Sequence, residues 1–352
     1  MHVGYEAAFQ HRASYPDDVF MRKEFDFCLR AESLGFDSIW LTEHHFSNYG
    51  LIPDPLQALS YIAGRTERIK LGTAVLVLPW HDPVRLAEQI ILADHISAGR
   101  LLIGIGRGLS KHEFEGFRVP LDESRARFNE NAKLITSALE TGIIEGGALT
   151  GQPRRELRPR PLRSFAGRVF TASVSPESSQ LVAQSGLGMM LIIFKPVHMI
   201  AADVRRYRQT WTQTHGDDSN PPQPLLSVVV VVDESAERAA YVATKHNSDS
   251  HRVAVEHYGM ADQDFGTARG YEYYQLMRAV PGAGQDTAPA TVVYGTPEQV
   301  LGRLEELKRL LGFQGILTIF HGIPDADGER SLHCFVENCL PELKSWPAEP
   351  TF

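Results

Sequence analysis

The 352-residue chain has few cysteines, no long apolar run and no excess of basic residues. Its three cysteines, Cys28, Cys334 and Cys339, share no metal-binding spacing such as C-x-x-C, and this scarcity is typical of a reducing cytosol. No stretch approaches the ~18 apolar residues of a membrane span, and the first residues lack the basic start and apolar core of a secretion signal. We therefore expect a soluble, cytoplasmic protein.

Charge and composition exclude further classes. The formal net charge of −8 argues against a nucleic-acid-binding protein, because such proteins usually present a basic face. Hydrophobic residues make up 43% of the chain, which is enough for a large core and excludes disorder over its whole length. With no internal repeat and no obvious linker, we predict a single domain over residues 1–352.

Short β-rich segments alternate with longer segments of helical spacing along the whole chain. Asp82 and Pro83 predict the start of one helix and Gly99 follows its end, while "RLLIGIG" at 100–106 has no polar face, as expected of a buried parallel strand. This alternation predicts the α/β class and a closed (β/α)₈ TIM-type barrel, although an open doubly wound sheet would show the same alternation. The eight predicted strands are 2–9, 36–41, 69–78, 100–106, 168–172, 188–193, 225–232 and 315–320.

Two segments interrupt this rhythm. Residues 150–168 are rich in arginine and proline and read as a loop, either a solvated connection or a lip over an anionic site. Residues 259–290 mix glycine, aromatic residues and proline without a clear period. Because structureless segments of this length are usually functional in compact domains, we predict a mobile lid over 259–290.

Candidate functional residues follow the predicted strands, at the end of a barrel where catalytic side chains collect. The stretch "WLTEHHFSNYG" after the second strand brings Glu43, His44 and His45 together. Further candidates follow the third, fourth and fifth strands: Ala74, Val75, Gly106, Arg107, Gly108, Leu109, Ser173, Ser175 and Ser178.

Glu43, His44 and His45 are open to three interpretations. Adjacent side chains on extended backbone point to opposite faces, so His44 and His45 are poorly placed to share one ion, and we predict no metal site. A structural turn, with the imidazoles bonded to carbonyl groups, is the second interpretation. The third, which we favour, is one imidazole acting as a base or hydrogen-bond donor, oriented by its histidine neighbour and Glu43.

The "GIGRG" stretch at 104–108 and "SVSPESSQ" at 173–180 suggest a phosphate site. Glycine lets the backbone approach a ligand, the Arg107 guanidinium matches phosphate geometry, and helix N-termini bind phosphate through free N–H groups. Each feature also has a plain structural interpretation, a tight turn for the glycines and N-capping for Ser175 and Ser178. Together they look like a mononucleotide phosphate site.

Aromatic side chains are candidates to line a pocket for an apolar organic molecule, although most large aromatic residues belong to a core. No nucleophilic triad is readable, because the chain has no G-x-S-x-G and no cysteine with a partnering signature. The aromatic candidates are Phe9, Trp40, Phe46, Trp80 and Phe194.

Longer ordered motifs resemble the bacterial luciferase family of flavin-dependent monooxygenases. They are "GFDSIWLTEHHFSNYG", "LGTAVLVLPWHDPVRLAEQIILADHISAGRLLIGIGRGLS", "SRARF" and "YGTPEQVLGRLEEL", densest between residues 35 and 128. The resemblance implies a (β/α)₈ barrel that binds reduced FMN at its C-terminal face, where flavin and O₂ form a C4a-peroxide that oxygenates an organic substrate. It also implies a separate flavin reductase and a dimer that pairs through helices beside the early strands.

The resemblance assigns roles to individual residues. His44 matches the family's catalytic histidine, with Glu43 and His45 as its supporting neighbours. Arg107 and Arg125 match arginines that hold the FMN phosphate, Ser175 and Ser178 match hydroxyl contributors, and Ala74–Val75 matches a non-proline cis peptide beneath the flavin ring. The segment 259–290 matches the mobile active-site loop.

Several departures from the family pattern argue against light emission and long-chain aldehyde substrates. Gly106 stands where the light-emitting subunit has a reactive cysteine, Val174 replaces an acidic residue, and Pro176 is inserted into its motif. Besides the FMN monooxygenase, two alternatives remain open: a deazaflavin-dependent dehydrogenase on the same barrel, and a catalytically silent flavin-binding relative. A metal hydrolase is disfavoured by the spacing of the histidines.

Overall fold

The computed structural model describes residues 1–11, 16–193, 195–216, 221–222, 224–259, 291–320 and 325–348. Its strands are β1 His2–Ala7, β2 Ser38–Leu41, β3 Lys70–Thr73, β4 Leu76–Val77, β5 Leu101–Gly106, β6 Ile143–Gly146, β7 Gln152–Glu156, β8 Val169–Ala172, β9 Gly188–Ile192, β10 Leu225–Val232, β11 Val292–Gly295 and β12 Gly315–Phe320. Its helices are α1 Asp17–Arg30, α2 Pro55–Ala63, α3 Pro83–Ile96, α4 Lys111–Gly116, α5 Ser124–Thr141, α6 Pro176–Gln184, α7 Val197–His215, α8 Ala236–Tyr258, α9 Pro297–Leu311, α10 Ala326–Asn338 and α11 Leu340–Ser345.

Eight parallel strands close into a barrel. The order β1-β2-β3-β5-β8-β9-β10-β12 returns to its start, because β12 pairs with β1 and β10 pairs with both β9 and β12. The predicted (β/α)₈ barrel is therefore confirmed, and the open sheet is excluded. The short strand β11 pairs with the last residues of β10, and β4 pairs with the end of β5.

The helix boundaries follow the sequence signals. At the start of α3, the Asp82 carboxylate accepts a hydrogen bond from the Arg85 N–H at 3.0 Å, as the predicted N-cap requires. The helix α9 begins with a capping box between Thr296 and Gln299 and ends at Gly312 in the left-handed conformation. Within the described part of the chain, no helix combines the length and apolar character needed to cross a membrane.

Two of the predicted elements differ from the structure. The strand predicted over 69–78 is divided into β3 and β4, with the cis Ala74–Val75 peptide between them and pairing with β5 resuming at Leu76. In the predicted loop 150–168, residues Gln152–Glu156 form a strand in an antiparallel hairpin with β6. Three of its five residues, "QPRRE", are charged and four are exposed, so no apolar alternation marks them as a strand.

The arginine-rich segment lies at the amino-terminal end of the barrel. Arg168, just before β8, forms a buried ion pair with Asp94 of α3 at 2.8 Å, and the Arg163 side chain donates to the Gly99 carbonyl just before β5. The interpretation of 150–168 as a lip over the anionic site is therefore wrong, since that site was predicted at the opposite end. The predicted lid 259–290 lies, beyond Gly259, outside the described residues.

Trp40 fills the centre of the barrel. Its ring is fully buried, and its Nε1 donates to the Ser38 hydroxyl at 2.7 Å. Glycines on the flanking strands leave room for the ring, since a Cβ at Gly72 would lie 2.2 Å from Trp40 and one at Gly4 would lie 3.1 Å from it. The remaining members of this inner cluster are Leu102, Phe170, Met190, Leu225 and Leu317.

Candidate active site

Glu43 lies directly after β2 and organises the backbone and side chains around it. Its buried carboxylate accepts hydrogen bonds from His81 Nε2 at 2.8 Å, His45 Nε2 at 3.3 Å and the Val77 N–H at 2.8 Å. Burial by itself would raise the Glu43 pKa, but the hydrogen bonds from His45 and His81 outweigh it and lower the pKa. Glu43 is therefore an ionised anchor that fixes two imidazoles and the segment after the cis peptide.

His44 is held by a different carboxylate. Its Nδ1 donates to Glu113 Oε1 at 3.3 Å, and its ring stands edge-on to the Tyr49 ring with centroids 4.6 Å apart. Glu113 belongs to the short helix α4, whose N-cap Ser110 was not anticipated from the sequence. The structure thus places Glu113 against the His44 imidazole, while Glu43 contacts the His45 imidazole. The supporting role of Glu43 and His45 toward His44 stays a prediction.

Glu113 stands between two imidazoles. The carboxylate also accepts the His45 backbone N–H at 2.8 Å, and its second oxygen lies 3.4 Å from His257 Nε2. Burial would raise the Glu113 pKa, but the hydrogen bonds with His257 and His44 lower it to about 2. Glu113 is consequently ionised and accepts the Nδ1 proton of His44, which fixes the orientation of that ring.

His257 reaches this cluster from the last turn of α8. Burial lowers the pKa of His257, although Glu113 opposes that effect, and the Ser47 hydroxyl lies 2.6 Å from His257 Nδ1. Its ring is buried and stacks on Tyr49 with centroids 4.7 Å apart. No motif marked Glu113 or His257 in the sequence, and only their proximity in the fold reveals them.

The nitrogen and oxygen atoms of His44, Glu113 and His257 all lie within 4.8 Å of one another, a grouping able to hold a metal ion. The ion pairs at 3.3 and 3.4 Å already account for the positions of these side chains without an ion. The side chains of His44 and His45 contact different carboxylates, Glu113 and Glu43. The absence of a metal site stays a prediction.

The segment between β3 and β4 packs closely against the end of β5 at the predicted flavin position. The Ala74–Val75 peptide is cis, and both side chains are partly buried. Gly106 packs so tightly on Val75 that a Cβ there would lie 2.4 Å from Val75 Cγ2, and Gly108 has a φ of +81° next to Val77. Glycine at these two positions therefore lets the end of β5 lie against the cis segment.

Two arginines lie after β5, and the N-terminus of α6 lies after β8. Arg107 and Leu109 lie partly buried after β5, and Arg125 lies in the first turn of α5, where its guanidinium is 3.7 Å from the Glu177 carboxylate in the first turn of α6. This ion pair places the Arg125 guanidinium at the α6 N-terminus, next to the acidic Glu177. The guanidinium is chemically suited to a phosphate group. At the helix start, Pro176 has no N–H and the Ser175 and Ser178 N–H groups are bonded within a capping box.

The serines before α6 have local partners. Ser175 is the N-cap and forms a capping box with Ser178, and the Ser173 hydroxyl lies 3.1 Å from the Ser178 hydroxyl. The N-capping interpretation is therefore correct for Ser175, while Ser178 is the third residue of α6 and completes the capping box. Their role toward a phosphate stays a prediction.

The aromatic candidates divide into core and site. Trp40 and Phe9 are buried in the core, so neither can line an accessible pocket. Trp80 stands edge-on to His45 with ring centroids 5.5 Å apart, while Phe46 is 58% exposed beside the same imidazole. Phe194 lies outside the described residues.

Comparison with known proteins gives consistent matches over most of the chain. A family model described as luciferase-like monooxygenase matches residues 1–314. The alkanal monooxygenase alpha chain of Aliivibrio fischeri is 29% identical over 332 residues, covering 90% of this chain and 91% of that protein. The oxygenase component of the flavin-dependent trigonelline monooxygenase of Acinetobacter baylyi is 26% identical over 247 residues, covering 68% of each.

Solved structures share the barrel at lower identity. The oxygenating constituent of 3,6-diketocamphane monooxygenase from Pseudomonas putida, a type II Baeyer–Villiger monooxygenase solved with FMN, has a TM-score of 0.76 at 18% identity and covers 99% of this chain and 100% of that one. An F420-dependent secondary alcohol dehydrogenase has a TM-score of 0.72 at 13% identity and covers 97% and 98%. At these identities the likeness shows a common fold.

Proposed function

The chain belongs to the luciferase-like monooxygenase family of flavin-dependent oxygenases, and from this membership we propose that it is an FMN-dependent monooxygenase. It would receive reduced FMN from a separate reductase and use O₂ to oxygenate a small, mostly apolar organic substrate. The observation that carries the proposal is the hydrogen bond between His44 and Glu113, which orients an imidazole base at the carboxyl end of the barrel strands.

The residues after the strands suit a flavin mononucleotide. Arg107 and Arg125 would hold its phosphate at the N-terminus of α6, where Arg125 already stands 3.7 Å from Glu177. The partly buried Ala74–Val75 segment offers uncharged, apolar side chains for contact with the ring. Reduced FMN, when bound, would supply the electrons that activate O₂.

His44 would move protons at its Nε2 atom. Glu113 fixes the tautomer by accepting the Nδ1 proton, and Tyr49 limits rotation of the ring. The imidazole is 18% exposed, so it reaches the site while its Glu113 partner, at 2%, stays shielded from water. His44→Ala should therefore retain flavin binding and lose product formation; unchanged turnover would make the histidine structural.

A reductase partner is supported by a relative whose name identifies it as an oxygenase component. Such a component takes its reduced flavin from another protein. The apolar character of the substrate is supported by the site's exposed apolar side chains, Phe46 among them.

The first experiment is an anaerobic titration with reduced FMN, followed by stopped-flow mixing with oxygenated buffer. Binding, followed by a transient absorbance distinct from both reduced and oxidised FMN, is the expected result. Binding with immediate reoxidation and no transient would refute the monooxygenase proposal in favour of a silent relative. Binding of a reduced deazaflavin coenzyme in place of FMN would favour the hydride-transfer alternative.

A matched pair of arginine variants tests the phosphate site. Arg125→Ala should weaken FMN binding about tenfold or more, because a charge-assisted hydrogen bond contributes ~1.5–3 kcal/mol. Arg127, two residues later in α5, pairs with Glu123 instead, so Arg127→Ala should leave FMN affinity unchanged. Equal affinities in the two variants would refute the assignment. The same loss is expected for Arg107→Ala.

We also propose a dimer that pairs through α2 and α3. Three large apolar side chains on these helices are exposed, Tyr61 at 47%, Leu92 at 51% and Ile96 at 48%. Leu92→Glu combined with Ile96→Glu should convert the dimer to a monomer in light scattering after gel filtration. Leu310→Glu, on the equally exposed α9 surface, is the control that should remain dimeric.

A further inference from the structure

Glu6 is a buried carboxyl group inside the barrel that no motif singled out. It lies on β1 beside Trp40 of β2, and Gly4, two residues earlier, faces inward because a Cβ there would contact Trp40. Alternation along a strand puts Glu6 on the same inner face. The Ser227 hydroxyl of β10 donates to Glu6 Oε2 at 2.6 Å. Because β12 lies between β1 and β10, this bond crosses the interior of the barrel.

The walls above this carboxyl group are apolar and open. Ile192 follows the inward-facing Met190 by two residues and therefore faces inward, yet it is 40% exposed. By the same alternation Ala172, Val229 and Ile319 face inward, and they are exposed or partly exposed. Inner side chains of barrel strands reach solvent only at an open mouth, so these four line an apolar cavity over Glu6.

This cavity adjoins the His44 cluster. A Cβ at Gly50 would lie 2.9 Å from His44 Cβ and 3.3 Å from the carbonyl oxygen of Ala8, two residues after Glu6. Burial raises the pKa of Tyr49, whose ring flanks His44, and the charges of Glu113 and Glu6 add to the rise.

Within the described part of the chain, the hydrogen bond that Glu6 accepts comes from the Ser227 hydroxyl. Its carboxyl group can therefore accept a further hydrogen bond from a ligand. A predominantly apolar pocket with one polar group is the usual form of a small-molecule site. We infer that Glu6 is the polar end of the substrate pocket and selects an apolar ring that carries a hydroxyl group, which donates its hydrogen bond to the Glu6 carboxyl. This inference rests on the proposed function and specifies its substrate class.

Binding of phenol and 2-naphthol, each compared with its O-methyl ether, tests the inference by calorimetry on FMN-loaded protein. The ether keeps the apolar ring but has no proton to donate. Wild type should bind at least one of the hydroxyl compounds about tenfold more tightly than its ether. Glu6→Leu should abolish this preference, and Glu6→Gln, whose amide oxygen still accepts, should retain part of it.

Glu24→Gln is the matched control, because Glu24 is as buried as Glu6 but lies on the outer helix α1, and it should keep the full preference. An equal preference in wild type and Glu6→Leu would overturn the inference. Failure of every probe compound to bind wild type would also overturn it. A loss of FMN affinity in Glu6→Leu with the preference for hydroxyl compounds intact would overturn it as well, because the Glu6 carboxyl would then contact the flavin. The oxygen reaction of wild type is a separate measurement, so failure of the proposed function is distinguishable from failure at Glu6.

Discussion

Replacement of Glu6 by glutamine should change how the stability of the protein depends on pH. Glu6 is 5% exposed, and burial raises its pKa from the ordinary 4.5 to about 7, with the Ser227 hydrogen bond opposing the rise. At about 1.4 kcal/mol per pKa unit, the ionised form costs about 3 kcal/mol more in the folded protein than in the unfolded chain.

The direction of the effect follows from which state ionises first. Below pH 4.5 the carboxyl is protonated in both states, so its pKa difference has no effect on stability. As the pH rises toward 7, the unfolded chain loses the proton while the folded protein keeps it, and the free energy of unfolding falls. Above pH 7 the loss is complete.

Glutamine has the shape of glutamic acid and never ionises, so Glu6→Gln lacks this dependence. Between pH 5 and pH 8, the variant should gain about 2.5 kcal/mol of unfolding free energy relative to wild type. Urea denaturation across this range measures the difference, and any constant offset from the amide cancels. Glu6→Leu should show the same slope. Parallel wild-type and Glu6→Gln profiles would refute the reasoning, and with it the environment described for this carboxyl.

Further predictions concern the carboxylate beside His44 and the barrel centre. Glu113→Gln should lower the free energy of unfolding by about 3 kcal/mol at pH 7, because burial opposes ionisation of Glu113 but the two imidazoles lower its pKa to about 2. In urea denaturation, the difference between wild type and Glu113→Gln should shrink as the pH falls below 4.5. Gly72→Ala should destabilise by about 1–3 kcal/mol, since its Cβ would lie 2.2 Å from the Trp40 ring. Gly302→Ala, inside α9 with nothing within 4 Å, should instead stabilise by about 1 kcal/mol, and thermal unfolding compares the two glycine variants.

The barrel could be predicted because its elements are specified locally. Apolar strands, N-caps such as Asp82 and the regular alternation of β and α segments depend on residues that are near in sequence. The hairpin strand Gln152–Glu156 could not be predicted in the same way, because its side chains are exposed and its pairing depends on backbone hydrogen bonds. The third strand is divided at a cis peptide bond, which periodicity does not report.

Three of the five residues in the candidate site around Glu43 and Glu113 could be predicted. Glu43, His44 and His45 are adjacent in sequence and follow a strand, so their position was evident. Glu113 comes from a six-residue helix and His257 from the end of a distant helix, and the folded barrel brings them to the same imidazole. Contacts between residues so far apart in sequence leave no local pattern to read.

The fully buried Trp40 ring, seated against Gly4 and Gly72, makes the interior of the barrel a dead end. Molecules cannot pass along the barrel axis, so whatever enters at the carboxyl ends of the strands must leave by the same opening. A ligand bound next to Trp40 can therefore leave only after any ligand bound nearer the opening has left. The buried Trp40 ring therefore sets the order in which two ligands can bind and leave.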